Sequence, residues 1–291
     1  MTDYIISTDT GSDLTAQLYQ KYNVIPIRME YEIDGEIFED AYEPEKLKEF
    51  YDKMRNGAVP KTTQLNVSKL CDFFEGLAKQ GKPIIYISLG AGISGSYNNA
   101  VNAANEVMEK YPDVKIYVIN SSVASLGGGA LCIMASENRQ NGLDIEQNVA
   151  ALEAQKHNIG IYVTTKDLTY LYRGGRVSKT SAVLGNMLGI NPIIKLDYEG
   201  HLIVCDKVRG EKNTFNRVEN LIEEHVINPK DNVLYVSHSD AYEKAEMLAK
   251  RYKEKFGFKD TLITNIGTII GSHTGPGLVA VYFNAVERDK E

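Results

Sequence analysis

Cysteine is scarce. Three occur in 291 residues, Cys71, Cys132 and Cys205. They are far apart and form no C-x-x-C pair, so a disulfide framework is not expected, and free thiols in a reducing compartment are. No apolar run approaches the roughly 18 residues of a membrane span. The opening residues, M-T-D-Y-I-I-S-T, lack the charged region and long apolar run of a secretory signal, and a cytoplasmic location is the expectation. Basic charge is not in excess either. There are 32 basic and 39 acidic residues and a net charge of −7, which argues against duplex nucleic acid or an anionic membrane as partner. The five histidines, at 157, 201, 225, 238 and 273, show no H-E-x-x-H and no ligand spacing to cysteine, so no metal site is expected. Internal repeats, low-complexity tracts and long linkers are also missing.

What is there is globular: 43% of residues are hydrophobic and 24% charged, enough to bury a sizeable core. Strand and helix patterns alternate about every 30 residues through the first half, the mark of a parallel α/β sheet. Strands are predicted at 4–7, 24–28, 84–87 and 115–120. Helices are predicted at 13–22, 43–56, 67–80, 96–111, 127–139 and 145–157, and a hairpin at Asp34-Gly35. Lys61-Thr62-Thr63-Gln64 reads as an irregular polar run. Near residue 158 the pattern changes. A strand at 161–164, a short helix at 167–172, a basic turn Arg173-Gly174-Gly175-Arg176 and a helix at 180–188 follow. Then come a hairpin turning at Glu199-Gly200, helices at 213–225 and 241–256, and strands at 233–237, 261–266 and 279–285. The expected fold is therefore α/β in two domains. Residues 1–158 form a parallel α/β domain, and 159–291 an α+β domain with an antiparallel component.

The most informative stretch is Pro83 to Ala100, P-I-I-Y-I-S-L-G-A-G-I-S-G-S-Y-N-N-A. It reads as a buried strand, a glycine-rich turn and the start of a helix. Hydroxyls and unpaired N–H groups at such a turn suit a phosphate or a carboxylate. Gly90, Gly92 and Gly95 match G-x-G-x-x-G, but Asn120 and Ser121 stand where a ribose-binding acid belongs, which disfavours a dinucleotide. Gly76, Gly81 and Lys82 mimic a P-loop, yet Pro83 replaces its hydroxyl residue and the helix-to-strand order is reversed. Around Ser94 the G-x-S-x-G pattern is nearly met, with Ser96 in the last place. With His273 downstream, a serine acyl transferase or hydrolase using Ser94 and His273 is an alternative. His273 lies in a glycine-rich turn, Gly271-Ser272-His273-Thr274-Gly275-Pro276-Gly277, and reads as placed for a purpose.

Taken in order, the motifs T-D-T-G-S-D-L, P-K-T-T-Q, L-G-A-G-I-S-G-S-Y-N-N-A, L-T-Y-L-Y-R-G-G-R-V-S and I-G-S-H-T-G-P-G resemble the DegV family from about Asp3 to Val286. Departures are small: Leu65 stands where the family often has proline, Thr63 where it often has serine, and Gly90-Ala91-Gly92 precedes the serine. The resemblance implies a binding protein rather than an enzyme, holding a long-chain fatty acid such as palmitate non-covalently, with no other cofactor. By the family motif Thr62 and Ser94 hold its carboxylate, with His273 in the same network. The resemblance further implies a role in lipid transport or fatty acid metabolism, with the acid presented to a separate fatty acid kinase whose product is an acyl phosphate. Arg173, Arg176 and Arg209, with Lys207, are basic points on an acidic chain and candidates for contact with that partner or its phosphate. Residues 182–194 are candidates for the tail, or ordinary core.

Overall fold

The computed structural model describes residues 3–41, 43–178 and 189–289. A four-stranded sheet of order β2-β1-β6-β7 is built from β1 (Ile5–Asp9), β2 (Val24–Ile27), β6 (Ile84–Ser88) and β7 (Ile116–Asn120). Each pairing is parallel. Its strands read as apolar runs because both faces are covered. Ile6, Ile85, Ile87 and Ile119 face one core, against α5 (Leu126–Gln140) and α6 (Ile145–Gln155). Ile5, Ile84, Tyr86 and Ile116 face a second core, shared with α3 (Val67–Ala78) and α4 (Ser96–Lys110).

A three-stranded antiparallel sheet hangs beside it, formed by β3 (Glu30–Ile33), β4 (Glu36–Glu39) and β5 (Lys61–Thr63). The Asp34-Gly35 turn is the expected hairpin, with φ of 55° and 84° as a two-residue primed turn requires. The first three residues of the irregular run at 61–64 are in fact β5, with Thr62 paired to Tyr31. A three-residue polar edge strand carries no alternating apolar signal, so its pairing with β3 decides it. The helix α2 (Pro44–Arg55) buries Leu47, Phe50, Tyr51 and Met54, as its spacing predicts.

The remaining strands build a six-stranded mixed sheet, in the order β10-β9-β8-β13-β11-β12. They are β8 (Ile159–Thr164), β9 (Ile190–Leu196), β10 (Leu202–Arg209), β11 (Val233–His238), β12 (Asp260–Asn265) and β13 (Val279–Asn284). Only the β11–β12 pairing is parallel. One face packs on α8 (Glu211–His225) and α9 (Tyr242–Phe256) through Tyr162, Ile193, Val281 and Phe283. The other face, with Ile161, Val163, Ile194 and Tyr282, joins the core that begins at Ile6. The fold is α/β with a two-domain architecture. The helix expected at 180–188 lies outside the described residues. α1 (Ala16–Tyr22) and α7 (Thr169–Arg173) complete the first set of helices, and α10 (Thr268–Thr274) ends the list. α10 is a correction, because its glycine and hydroxyl content reads as a turn.

Candidate functional site

The glycine-rich loop after β6 closes on the protein itself. A Cβ at Gly92 would lie 2.7 Å from the carbonyl oxygen of Glu199, at the tip of the β9–β10 hairpin, and one at Gly90 would lie 2.8 Å from that of Val123. The loop thus serves as a seat for the hairpin from the other half of the chain. Ser94, just beyond it, turns to the chain's hydroxyls. Its Oγ donates to Ser96 Oγ at 3.0 Å and accepts the Ser96 N–H at 3.2 Å. Ser96 Oγ in turn accepts the Leu65 N–H at 3.1 Å, which ties the start of α4 to the segment after β5.

That segment carries Thr62. Its Oγ1 lies 2.7 Å from Nε2 of His273, across 211 residues of chain. His273 sits in the last turn of α10. Thr62, Ser94 and His273 line one recess of about 330 Å³, together with Met29, Leu89 and Ile269. The three residues that the resemblance implies for a carboxylate are therefore brought together. Burial, and then the Arg176 guanidinium, push the His273 imidazole down to about 4, so the ring is neutral at physiological pH. With its proton on Nε2, the ring donates to Thr62 and leaves the Thr62 hydroxyl proton for an incoming acceptor. Its Nδ1 is buried and makes no hydrogen bond. The hydrolase alternative needs His273 on Ser94; the structure sets His273 on Thr62 and Ser94 on Ser96.

The sequence groups Arg176 with Arg173 and Arg209. The structure separates them. Arg173 and Arg209, with Lys207, are exposed, whereas Arg176 is half-buried in the wall of the recess. Its Nε donates to the Ile93 carbonyl at 3.1 Å and its Nη1 donates to that of Gly174. Burial pushes its pKa down. Two of five guanidinium donors are thus committed to protein carbonyls. The Arg-Gly-Gly-Arg turn packs straight onto the histidine: a Cβ on Gly174 would fall 2.1 Å from His273 Nδ1. Only glycine admits that contact without moving the ring.

Beneath the recess lies a cavity of about 60 Å³ whose walls are almost wholly apolar. Its floor is one face of the six-stranded sheet, from Ala280 and Tyr282 on β13 through Ile161 and Val163 on β8 to Ile194 on β9 and Leu202 on β10. Ile93, Arg176, Ile270 and His273 line both the recess and the cavity, so one thin wall separates them. The free space is below the 300–1,000 Å³ usual for ligand sites, so a long chain is admitted only as lining side chains move. Among the tail candidates Ile194 lines the cavity, Ile193 faces the opposite core, and 182–188 lie outside the described residues. The sheet residues of the floor were legible only as apolar strand positions, since alternation does not say which face meets a ligand. Among the described residues no cluster could hold a metal ion and no helix is long and apolar enough to cross a membrane.

The comparisons with known proteins agree with this architecture. The family model for uncharacterised proteins of the DegV family matches residues 4–286. A DegV domain-containing protein of Clostridium perfringens is 34% identical over 284 residues, covering 97% of this chain and 98% of the relative. The crystal structure of a fatty acid binding DegV family protein from Streptococcus agalactiae is 28% identical, with a TM-score of 0.83 over 99% of this chain and 100% of that one. A stearic acid-binding protein from Eubacterium ventriosum is 26% identical, with a TM-score of 0.85 over 97% of this chain and 99% of that one.

Proposed function

Since the chain belongs to the DegV family, we propose that it binds a long-chain fatty acid such as palmitate non-covalently, its carboxylate on Thr62, Ser94 and His273 and its tail in the apolar cavity. The observation that carries this reading is the shared wall. A recess that carries hydroxyls and an imidazole shares one wall with a cavity lined by hydrocarbon side chains, the form that suits a ligand with one polar head and one apolar tail. Burying the tail gains roughly 0.8 kcal/mol per methylene, about 11 kcal/mol gross for 14 of them, before the costs of association. The hydroxyls and imidazole add orientation at the head. The solved relatives from S. agalactiae and E. ventriosum bind fatty acids, which supports the same ligand class here. Calorimetry on delipidated protein tests it. Palmitate is expected to bind at least about tenfold more tightly than hexadecanol, which has the same tail but offers no carboxylate to the charge-assisted donors. Equal affinities would contradict the assigned head site.

The fatty acid is further proposed to be presented to a fatty acid kinase, which forms the acyl phosphate, in a cytoplasmic chain whose domains divide near residue 158. The exposure of Arg173 and Arg209 supports them as partner contacts, whereas Arg176 belongs to the recess. An Arg173→Ala/Arg209→Ala variant is expected to keep palmitate affinity and to lower acyl phosphate formation by the partner kinase about tenfold or more, since charged interface pairs carry such energies. Undiminished phosphorylation would remove these arginines from the interface.

A further inference from the structure

Three carboxylates lie buried against the segments that form the recess: Asp9, Asp13 and Asp40. None of them lines it. Each holds a segment that does, or the root of one. Asp9, at the end of β1, accepts the Leu89 N–H at 2.8 Å, with the Gly11 N–H at 3.1 Å and the Tyr86 hydroxyl at 3.4 Å. Asp13 accepts the Gly267 N–H at 2.8 Å. Asp40 accepts the Thr268 N–H at 2.9 Å and the Thr268 hydroxyl at 2.6 Å. Two carboxylates from the first half thus hold the start of α10, the helix that brings Ile269, Ile270 and His273 to the recess. Thr10, between Asp9 and Asp13, accepts the Met29 N–H at 3.2 Å. Leu89 and Met29 are themselves recess residues.

Among the described residues no salt bridge joins Asp9, Asp13 or Asp40 to a basic side chain. The titratable groups that face the cluster are Tyr86 from β6, Tyr19 from α1, Tyr31 from β3, Tyr51 from α2, Cys132 from α5 and Tyr282 from β13. None is a cation. Asp13 Oδ2 is fully buried and makes no hydrogen bond. Burial first, and the Asp40 carboxylate after it, push Asp9 up to about 6, and burial does the same for Asp40; burial also holds Asp13 well above its ordinary value.

We propose that Asp9, Asp13 and Asp40 are positioning residues of the acid-binding recess, and that seating an anionic head group above them draws a proton from solvent into the cluster. The proposal rests on the fatty-acid reading. An anion brought over like charges in a low-dielectric site raises their proton affinity. Reciprocally, each proton taken up favours the anion. Affinity for the anion therefore rises as pH falls through the range where the cluster protonates. A one-unit shift on binding sets the limit at about tenfold.

Calorimetry of palmitate binding at about pH 5.5 and about pH 8, on either side of the value of about 6 for Asp9 and Asp40, in buffers of different ionisation enthalpy, tests the coupling. Asp40→Asn is the comparison, because it keeps the Oδ1 acceptor for Thr268 and removes the charge. The titrations of palmitate and of His273 cancel in the ratio of the two proteins. The variant is expected to match wild type near pH 5.5, to bind more tightly near pH 8 by up to about tenfold, and to take up fewer protons on binding. Identical pH profiles and proton counts overturn the proposal, as does a folded variant that has lost affinity equally at both pH values. Should Asp40→Asn not fold, Asp13→Asn, which keeps the Oδ1 acceptor for the Gly267 N–H and removes one charge, gives the same reading. A wild type that binds no palmitate at either pH overturns the fatty-acid reading instead.

Discussion

An organic extract of the wild type is expected to contain a long-chain fatty acid, and a Thr62→Ala/Ser94→Ala double variant is expected to emerge from purification without it. Each hydroxyl removed takes away a hydrogen bond to a charged group, worth about 1.5–3 kcal/mol, or roughly 10- to 150-fold in affinity. Thr62 carries the larger share. Its loss also frees His273 Nε2 from the 2.7 Å contact that orients the ring. Ser94 acts more simply, since Ser96 Oγ keeps its bond from the Leu65 N–H when Ser94 is gone. The fold survives both changes, because Thr62 is on a short edge strand paired only to β3 and Ser94 is in a loop. Mass spectrometry of the extract, with displacement of a fluorescent fatty acid as the affinity measure, reads the outcome. A double variant that retains the lipid at wild-type occupancy would show that the head group is held elsewhere.

Filling the cavity has an effect of similar size by the opposite route. Ala280 is the second residue of β13, beside Val163 of β8 and Ser237 of β11, with its side chain in the cavity wall. Ala280→Leu places three further carbons into about 60 Å³ of free space. Overpacking of this kind costs about 1–3 kcal/mol of stability, which a domain of this size tolerates. The tail then loses its place beside the sheet. Exclusion of only four methylenes removes about 3 kcal/mol, more than a hundredfold in affinity. Long acids are expected to lose affinity and short ones to keep theirs, because the head site is untouched. A chain-length series from eight to eighteen carbons shows this as a change of slope; a uniform loss at every length would instead mean that the recess had been distorted.

The two variants probe halves of the site that differ in how far the sequence reveals them. The strands β1, β6 and β7 announce themselves, because a central parallel strand is apolar on both faces and needs no context to be read. The Asp34-Gly35 turn does so too, since few residue pairs accept positive φ twice in succession. Thr62, Ser94 and His273 stand in an ordered set of motifs, so residue types and order mark them out. β5 and α10 do not announce themselves. β5 is polar, three residues long, and held by pairing to β3. The helical state of α10 depends on Asp13 and Asp40 accepting its first N–H groups from more than 220 residues away, a term that no local propensity contains.

The sequence by itself determined the alternation of strand and helix, the apolar faces and the chemistry at the head: hydroxyls, an imidazole and no metal-ligand spacing. The tertiary structure decided what that chemistry can grip. It set His273 on Thr62 rather than on Ser94, moved Arg176 from the surface into the recess wall, and placed the recess over one face of the six-stranded sheet. The reason is physical. Residue type and periodicity are local properties of a chain. Which hydroxyl meets which nitrogen, and which apolar face is left to line a cavity, follow from contacts between residues as distant as 62 and 273.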